Sequence, residues 1–189
     1  MPGDDNDNIA KLAEGELLQS LRQIRDYLRD DCKKKWDRVL PFCDLLFDRW
    51  EKAEYLGFGQ GSSIYDSSMV FGAVKVGEFT WIGPYTILDG SGGLTIGSYC
   101  SISAGVQIYS HDSVKWATSG GHAEYEYQPV NIGDRCYIGP NTIVVKGVNI
   151  GDGCIIGAQS LVNRDIPAGA RAWGSPVKIM NNLDDINGC

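Results

Sequence analysis

From Ile9 onward the apolar residues recur at helical spacing. Ile9, Leu12, Ala13, Leu17, Leu21, Ile24 and Leu28 make one stripe, as a helix with a single apolar face requires. Asn8 stands where an N-cap belongs, and the acidic residues 1–8 before it read as a disordered leader. Arg22, Arg25 and Arg29 follow at steps of three and four on another face. That row reads as an anion site or, more simply, as a solvated helix surface. A second, shorter helical stretch is predicted from about Pro41 to about Glu54, with Leu45, Leu46 and Trp50 inward. Both are too short to form a domain alone, so residues 9–58 are expected to be an α-helical extension packed on the remainder of the chain or on a neighbouring subunit.

After Gly57-Phe58-Gly59 the period changes from helical to six. Ile64, Val70, Val76, Ile82 and Leu88 are six apart. After two extra residues the series resumes at Ile96, Ile102 and Ile108, and after a longer break at Ile132, Ile138, Val144, Ile150, Ile156 and Val162. Gly follows the aliphatic residue at 77, 83, 97, 133, 139, 151 and 157, and four positions after it stand mostly small residues. A short strand that turns one aliphatic side chain inward, repeated on three sides, closes a coil of about eighteen residues. Coils stack at about 4.8 Å through parallel ladder hydrogen bonds, and no coil can bury its apolar face without neighbours. The pattern predicts an all-β solenoid, a parallel β-helix of roughly five coils about 24 Å tall, over residues 59–180. Residues 109–131 would be extruded from it, and residues 181–189 would form a tail.

Composition narrows the function. A length of 189 residues suits one principal domain with a small appendage. The net charge of −7 excludes a general nucleic-acid-binding surface. No run approaches the ~18 apolar residues of a membrane span, and the acidic start is the reverse of a secretory leader. A cytoplasmic protein is expected. Of the six cysteines, Cys100, Cys136 and Cys154 fall on the small inward position of the repeat. They are read as reduced packing residues, because no CxxC-type cluster points to a metal or disulfide. Cys32, Cys43 and Cys189 are isolated.

Chemistry is expected where the repeat fails. A long loop leaving a rigid scaffold is commonly functional, and 109–131 holds both histidines of the chain, His111 and His122. His111 is three residues beyond the core position Ile108 and is the better anchored, as a general base must be.

The hexads, the extruded loop opened by Ile108-Tyr-Ser-His111-Asp, and the closing run Asp165-Ile-Pro-Ala-Gly-Ala-Arg-Ala-Trp-Gly-Ser-Pro-Val-Lys-Ile together resemble the hexapeptide-repeat acyltransferases, such as the galactoside, maltose and serine acetyltransferases. The resemblance covers roughly residues 60–180. It departs from the family where Ser175 and Val177 fill the usual Gly-x-Pro-Ala-Lys/Arg closing motif, and in the longer helical N-terminus. It alone implies a left-handed coil, since parallel crossovers are normally right-handed. It implies a homotrimer with sites between neighbouring prisms, acetyl-CoA as acyl donor, and direct transfer with His111 as base. Asp89, in the two-residue insertion, is the implied acidic partner or substrate anchor, and Asp112 is the alternative. Gly139, Ala158 and Gly174 would let the coenzyme approach the backbone, and Arg164 and Lys178 would meet its phosphates. Trp116, Tyr125 and Tyr127 would line a sugar acceptor or pin the loop to the next subunit. No metal is expected; the zinc-dependent carbonic anhydrases of this fold need three histidines, and the chain has two. O-acetylation of a sugar or polysaccharide precursor is the leading expectation. N-acetylation of an amino sugar and a non-catalytic scaffold are the alternatives.

Overall fold

The computed structural model describes residues 15–180. The expected leader, the start of the first helical stripe, the tail and Cys189 lie outside the described residues. The chain divides into two compact units at Asp48/Arg49.

The first unit holds α1 (Glu16–Trp36) and α2 (Phe42–Leu46). Helix α1 ends where Asp37 takes a left-handed conformation and its N–H bonds to the Lys33 carbonyl; Lys33, Lys34 and Lys35 in the last turn suit the negative end of the helix dipole. Of the basic row, Arg25 pairs with Asp26 at 2.7 Å and Arg29 lies 3.8 Å from the same carboxylate. The helix predicted over 41–54 is broken. Phe47 is extended, and helix resumes as α3 (Arg49–Tyr55). Leu46 and Trp50, expected inward, are exposed, and Ala53 is the buried residue of α3.

Helix α3 belongs to the second unit because it caps the first coil. Lys52 Nζ donates to the carbonyls of Tyr65, Asp66 and Ser68 at 3.2, 2.9 and 2.9 Å, groups that have no earlier coil to pair with. Above it the chain is a three-faced parallel solenoid. The first face stacks β1 (Ser63–Ile64), β3 (Trp81–Ile82), β5 (Ser101–Ile102), β10 (Tyr137–Ile138), β13 (Ile155–Ile156) and β15 (Arg171–Trp173). The second stacks the leading halves of β2 (Met69–Val76) and β4 (Ile87–Ile96), then β6 (Gln107–Tyr109), β11 (Ile143–Val144) and β14 (Leu161–Val162). The third stacks the trailing halves of β2 and β4, then β9 (Val130–Ile132) and β12 (Asn149–Ile150), with Ile166 bridging to Ile150. Strand β16 (Lys178–Met180) folds back antiparallel on β15.

Of the fourteen aliphatic positions of the repeat, all but Val70 are buried, and Val70 packs partly buried against the same core. The ladder has six rungs on the first face rather than five. Ile166 closes the fifth coil, and Ala172 and Val177 form the last, each no more than 2% exposed, but with steps of irregular length that hide it from a count of sixes. At the corner entering the first face, the residue three before each core side chain takes a left-handed φ: Gly61, Phe79, Tyr99, Arg135, Gly153 and Gly169. For the non-glycine members this costs on the order of 1 kcal/mol each, offset by the stacking it permits. Gly139 has a different constraint: a Cβ there would lie 2.5 Å from the Ala158 N of the next coil.

The inward small residues have a further task. Ser62 Oγ donates to the Gly77 carbonyl at 2.7 Å, and Thr80 Oγ1 to that of Gly97 at 2.8 Å. The thiols of Cys100 and Cys136 do the same for Gly133 and Gly151, and Cys154 for Pro167, each at 3.1 Å. The cysteines therefore continue a hydroxyl ladder that satisfies corner carbonyls, and hydrogen bonding to Cys100 together with burial pushes the Cys136 thiol up. Cys136→Ser keeps a donor and is expected to change stability by less than about 1 kcal/mol, whereas Cys136→Ala strands the Gly151 carbonyl at a cost of about 1–3 kcal/mol. Denaturant midpoints test this; equal losses in the two variants would contradict a hydrogen-bonding role.

Candidate active site

Both insertions into the six-residue step occur at one corner, between the second and third faces. In the second coil the corner is Asp89–Gly93, inside β4. In the third it is the loop holding β7 (His111–Asp112), α4 (Val114–Thr118) and β8 (Glu126–Tyr127). Strands β7 and β8 pair antiparallel, His111 opposite Tyr127 and Asp112 opposite Glu126.

Asp89 follows the core residue Leu88, yet only 2% of it is exposed. The insertion folds over it and the third coil closes from above. Ser91 gives Oδ1 a backbone N–H at 3.0 Å and its hydroxyl at 2.5 Å, and the Ser110 N–H reaches Oδ2 at 3.0 Å. Ser110 Oγ in turn accepts the Gly92 N–H at 2.8 Å; Gly92 runs so close below that a Cβ would lie 2.4 Å from the Ser110 carbonyl oxygen. Burial alone would raise the Asp89 pKa. The hydrogen bonds from Ser91, His111 and Ser110 overcome that and hold it at about 2. The carboxylate is ionised at neutral pH and can only accept.

His111 Nδ1 lies 2.5 Å from Asp89 Oδ2. An acceptor-only partner fixes the tautomer: neutral His111 must carry its proton on Nδ1 and present a lone pair on Nε2. The ring is one-third exposed and stacks near Tyr127 and Tyr125, at centroid distances of 5.8 and 6.2 Å and interplanar angles of 24° and 15°. Trp116 meets Tyr125 edge-on at 5.7 Å. The three aromatic residues singled out in the sequence thus line the histidine side of the loop, each more than 40% exposed. His122 lies exposed in the turn after α4.

Asp112 is directed elsewhere. Its Oδ1 accepts the Val114 N–H at 3.1 Å and its Oδ2 pairs with Lys146 at 2.8 Å, so the carboxyl on His111 is Asp89. Arg164 is exposed on the corner that carries His111, two coils further along. Gly139, Ala158 and Gly174 follow first-face strands and line up on a different corner. Lys178 is exposed and paired in register with Trp173. Within one chain the glycine edge and the histidine corner are separate. Ser91, Ser110 and Lys146 escaped the sequence reading. Among the described residues no group of three His, Cys, Asp or Glu side chains could hold a metal ion, and no helix is long and apolar enough to cross a membrane.

Comparison with known proteins agrees with this architecture. Residues 129–164 match the family pattern of the bacterial transferase hexapeptide (six repeats). The Staphylococcus aureus protein CapG is 36% identical over 92 residues, 48% of this chain and 54% of CapG; the chain spans about half the length of that relative. A hexapeptide-repeat-containing acetyltransferase of Vibrio cholerae complexed with acetyl-coenzyme A is 25% identical, with a TM-score of 0.57 over 91% of each chain. A mutant of AntD, an N-acyltransferase of Bacillus cereus, in complex with dTDP and coenzyme A, shares the fold at 23% identity, with a TM-score of 0.59 over 69% of this chain and 75% of that one. The chain thus carries the hexapeptide repeat over residues 129–164 and shares its β-helix fold with a hexapeptide-repeat-containing acetyltransferase.

The depressed Asp89 pKa makes a testable statement about stability. A carboxyl held near 2 in the fold, against an ordinary value near 4, contributes on the order of 2 kcal/mol above about pH 4 and loses it as pH falls towards 2. Asp89→Asn is expected to be less stable than wild type at neutral pH, with the gap narrowing through that window. Denaturant midpoints at a series of pH values measure it, and a pH-independent gap would count against an ionised Asp89.

Proposed function

We propose that the protein is an acetyl-CoA-dependent acyltransferase that acetylates a hydroxyl of a sugar or cell-surface polysaccharide precursor. The observation that carries this reading is the Asp89–His111 pair, with Nδ1 tied to a buried carboxylate and Nε2 left as the base. His111 Nε2 removes the proton of the acceptor hydroxyl as that oxygen attacks the thioester carbonyl carbon. The tetrahedral intermediate collapses with cleavage of the C–S bond, and the coenzyme thiolate takes the proton back from the imidazolium. Asp89 stabilises that imidazolium and holds the ring in place. Backbone N–H groups at the cleft would meet the developing oxyanion. The acetyl-coenzyme A bound by the Vibrio relative supports the donor, and Trp116, Tyr125 and Tyr127 supply flat apolar surface of the kind sugar rings stack on. The donor is a cytoplasmic metabolite, and the reading places the protein with it.

The reading also includes a homotrimer. Outward residues of the first two faces are Ser63, Trp81, Ser101, Tyr137, Ile155 and Arg171, and Met69, Ile87, Gln107, Ile143 and Leu161, richer in apolar side chains than the Lys75, Thr95, Asn131 and Asn149 of the third. Apolar faces are the ones that bury on contact with another copy. Such packing would bring the His111 corner of one copy to the Gly139, Ala158 and Gly174 edge of its neighbour, with Arg164 and Lys178 meeting the coenzyme phosphates.

Coenzyme release from acetyl-CoA, measured against a panel of hydroxyl and amino sugars, tests the reaction and separates O- from N-transfer. His111→Ala is expected to lower turnover about 10²–10⁴-fold; turnover within a few-fold of wild type would remove His111 from the role of base. Saturating acetyl-CoA is expected to raise the thermal midpoint, and the absence of any shift would favour a non-catalytic scaffold.

A further inference from the structure

The β7–β8 hairpin is gripped from both sides. On a paired ribbon, successive side chains alternate between faces, so His111 and Tyr127 share one face while Asp112 and Glu126 share the other. The first face is tied down by Asp89 from the second coil. The second meets Lys146, from the same corner of the fourth coil. Lys146 Nζ lies 2.8 Å from Asp112 Oδ2 and 2.6 Å from Glu126 Oε2, with 15% of its side chain exposed. Lys115, on α4, also pairs with Glu126. Hydrogen bonding to Asp112 and Glu126 raises the Lys146 pKa, and hydrogen bonds from Lys146 and Lys115 lower those of the two carboxyls.

We infer that Lys146 is a positioning residue for His111: by bridging the two carboxylates next to His111 and Tyr127, it fixes the hairpin to the fourth coil and sets the place of the imidazole. This rests on the acyltransferase reading and adds to it a residue that touches neither reactant. One cation between two carboxylates fixes both strands at once. A single ion pair at the surface contributes little, whereas a network with a mostly covered lysine constrains geometry. A displacement of about 1 Å at a base costs about 10²-fold in rate.

The test compares wild type, Lys146→Met and Lys146→Arg in the intact protein. Lys146→Met removes the cation but keeps most of the length of the side chain. Amide hydrogen exchange of residues 111–127 is expected to quicken at least tenfold, with exchange in the solenoid strands unchanged. The kcat is expected to fall about 10–100-fold, with the KM for acetyl-CoA unaltered. Lys146→Arg is expected to recover both to within a few-fold. Unchanged hairpin exchange in Lys146→Met overturns the clamp. Faster exchange with undiminished kcat reduces Lys146 to a structural contact and overturns its positioning role. If wild type transfers no acyl group to any acceptor, the functional reading fails, and hairpin exchange with the ¹⁵N shifts of the His111 ring decides whether Lys146 holds the imidazole. Shifts identical in wild type and Lys146→Met would overturn it.

Discussion

Everything in the solenoid depends on one constraint: each coil must return one aliphatic side chain to each of three columns, in register with the coil below. The parallel ladder leaves no slack. An extra residue on a face would turn a core side chain outward and shift every later rung. Additional chain can leave only at a corner, where the backbone is already turning. The corners are themselves tight. At Gly139 the next coil passes within a Cβ radius, and at Tyr99 or Arg135 the backbone accepts a left-handed φ so that the following strand can stack.

That constraint explains why the candidate site gathers at a single corner. The second coil adds two residues there and the third adds a loop, while the fourth crosses the same corner with its regular step. Three consecutive coils thereby supply Asp89, His111 and Lys146 from a rigid stack, each at a different height. A carboxylate with 2% exposure is costly unless its oxygens are satisfied, and here the surrounding coils provide the donors: Ser91 from its own insertion and the Ser110 N–H from the coil above. The same packing that excludes water from Asp89 keeps it an acceptor. The scaffold thus defines the proton on His111 without any further residue.

Much of this was legible in the sequence, for a physical reason. A column of buried side chains at fixed rise forces a fixed spacing, so the aliphatic positions from Ile64 to Val162 could be read off directly. The last coil was not legible, because Ile166 and Val177 fill their columns after steps shorter than the period and so throw Ala172 out of phase. The break at Phe47 was equally hidden, since the apolar spacing continues through it. At the site, the phase breaks marked Asp89 and His111. The Ser91 and Ser110 N–H donors to Asp89 could not be foreseen, because backbone N–H groups carry no sequence signal. Lys146 left no trace either: the step from Val144 to Ile150 is regular, and only the arrival of the loop on top of it gives that lysine a partner. The cysteine positions were visible as small inward residues, but their bonds to corner carbonyls needed the coil geometry.

The central claim is that the buried Asp89 carboxylate dictates which nitrogen of His111 carries the proton. With only two histidines in the chain, the ring nitrogens of His111 can be assigned by comparing the ¹⁵N spectra of wild type and His122→Gln. At a pH where His111 is neutral, the account predicts a protonated Nδ1 and an Nε2 with the shift of an unprotonated nitrogen, and a mixture of tautomers in Asp89→Asn. An Nε2–H tautomer in the wild-type protein would contradict it.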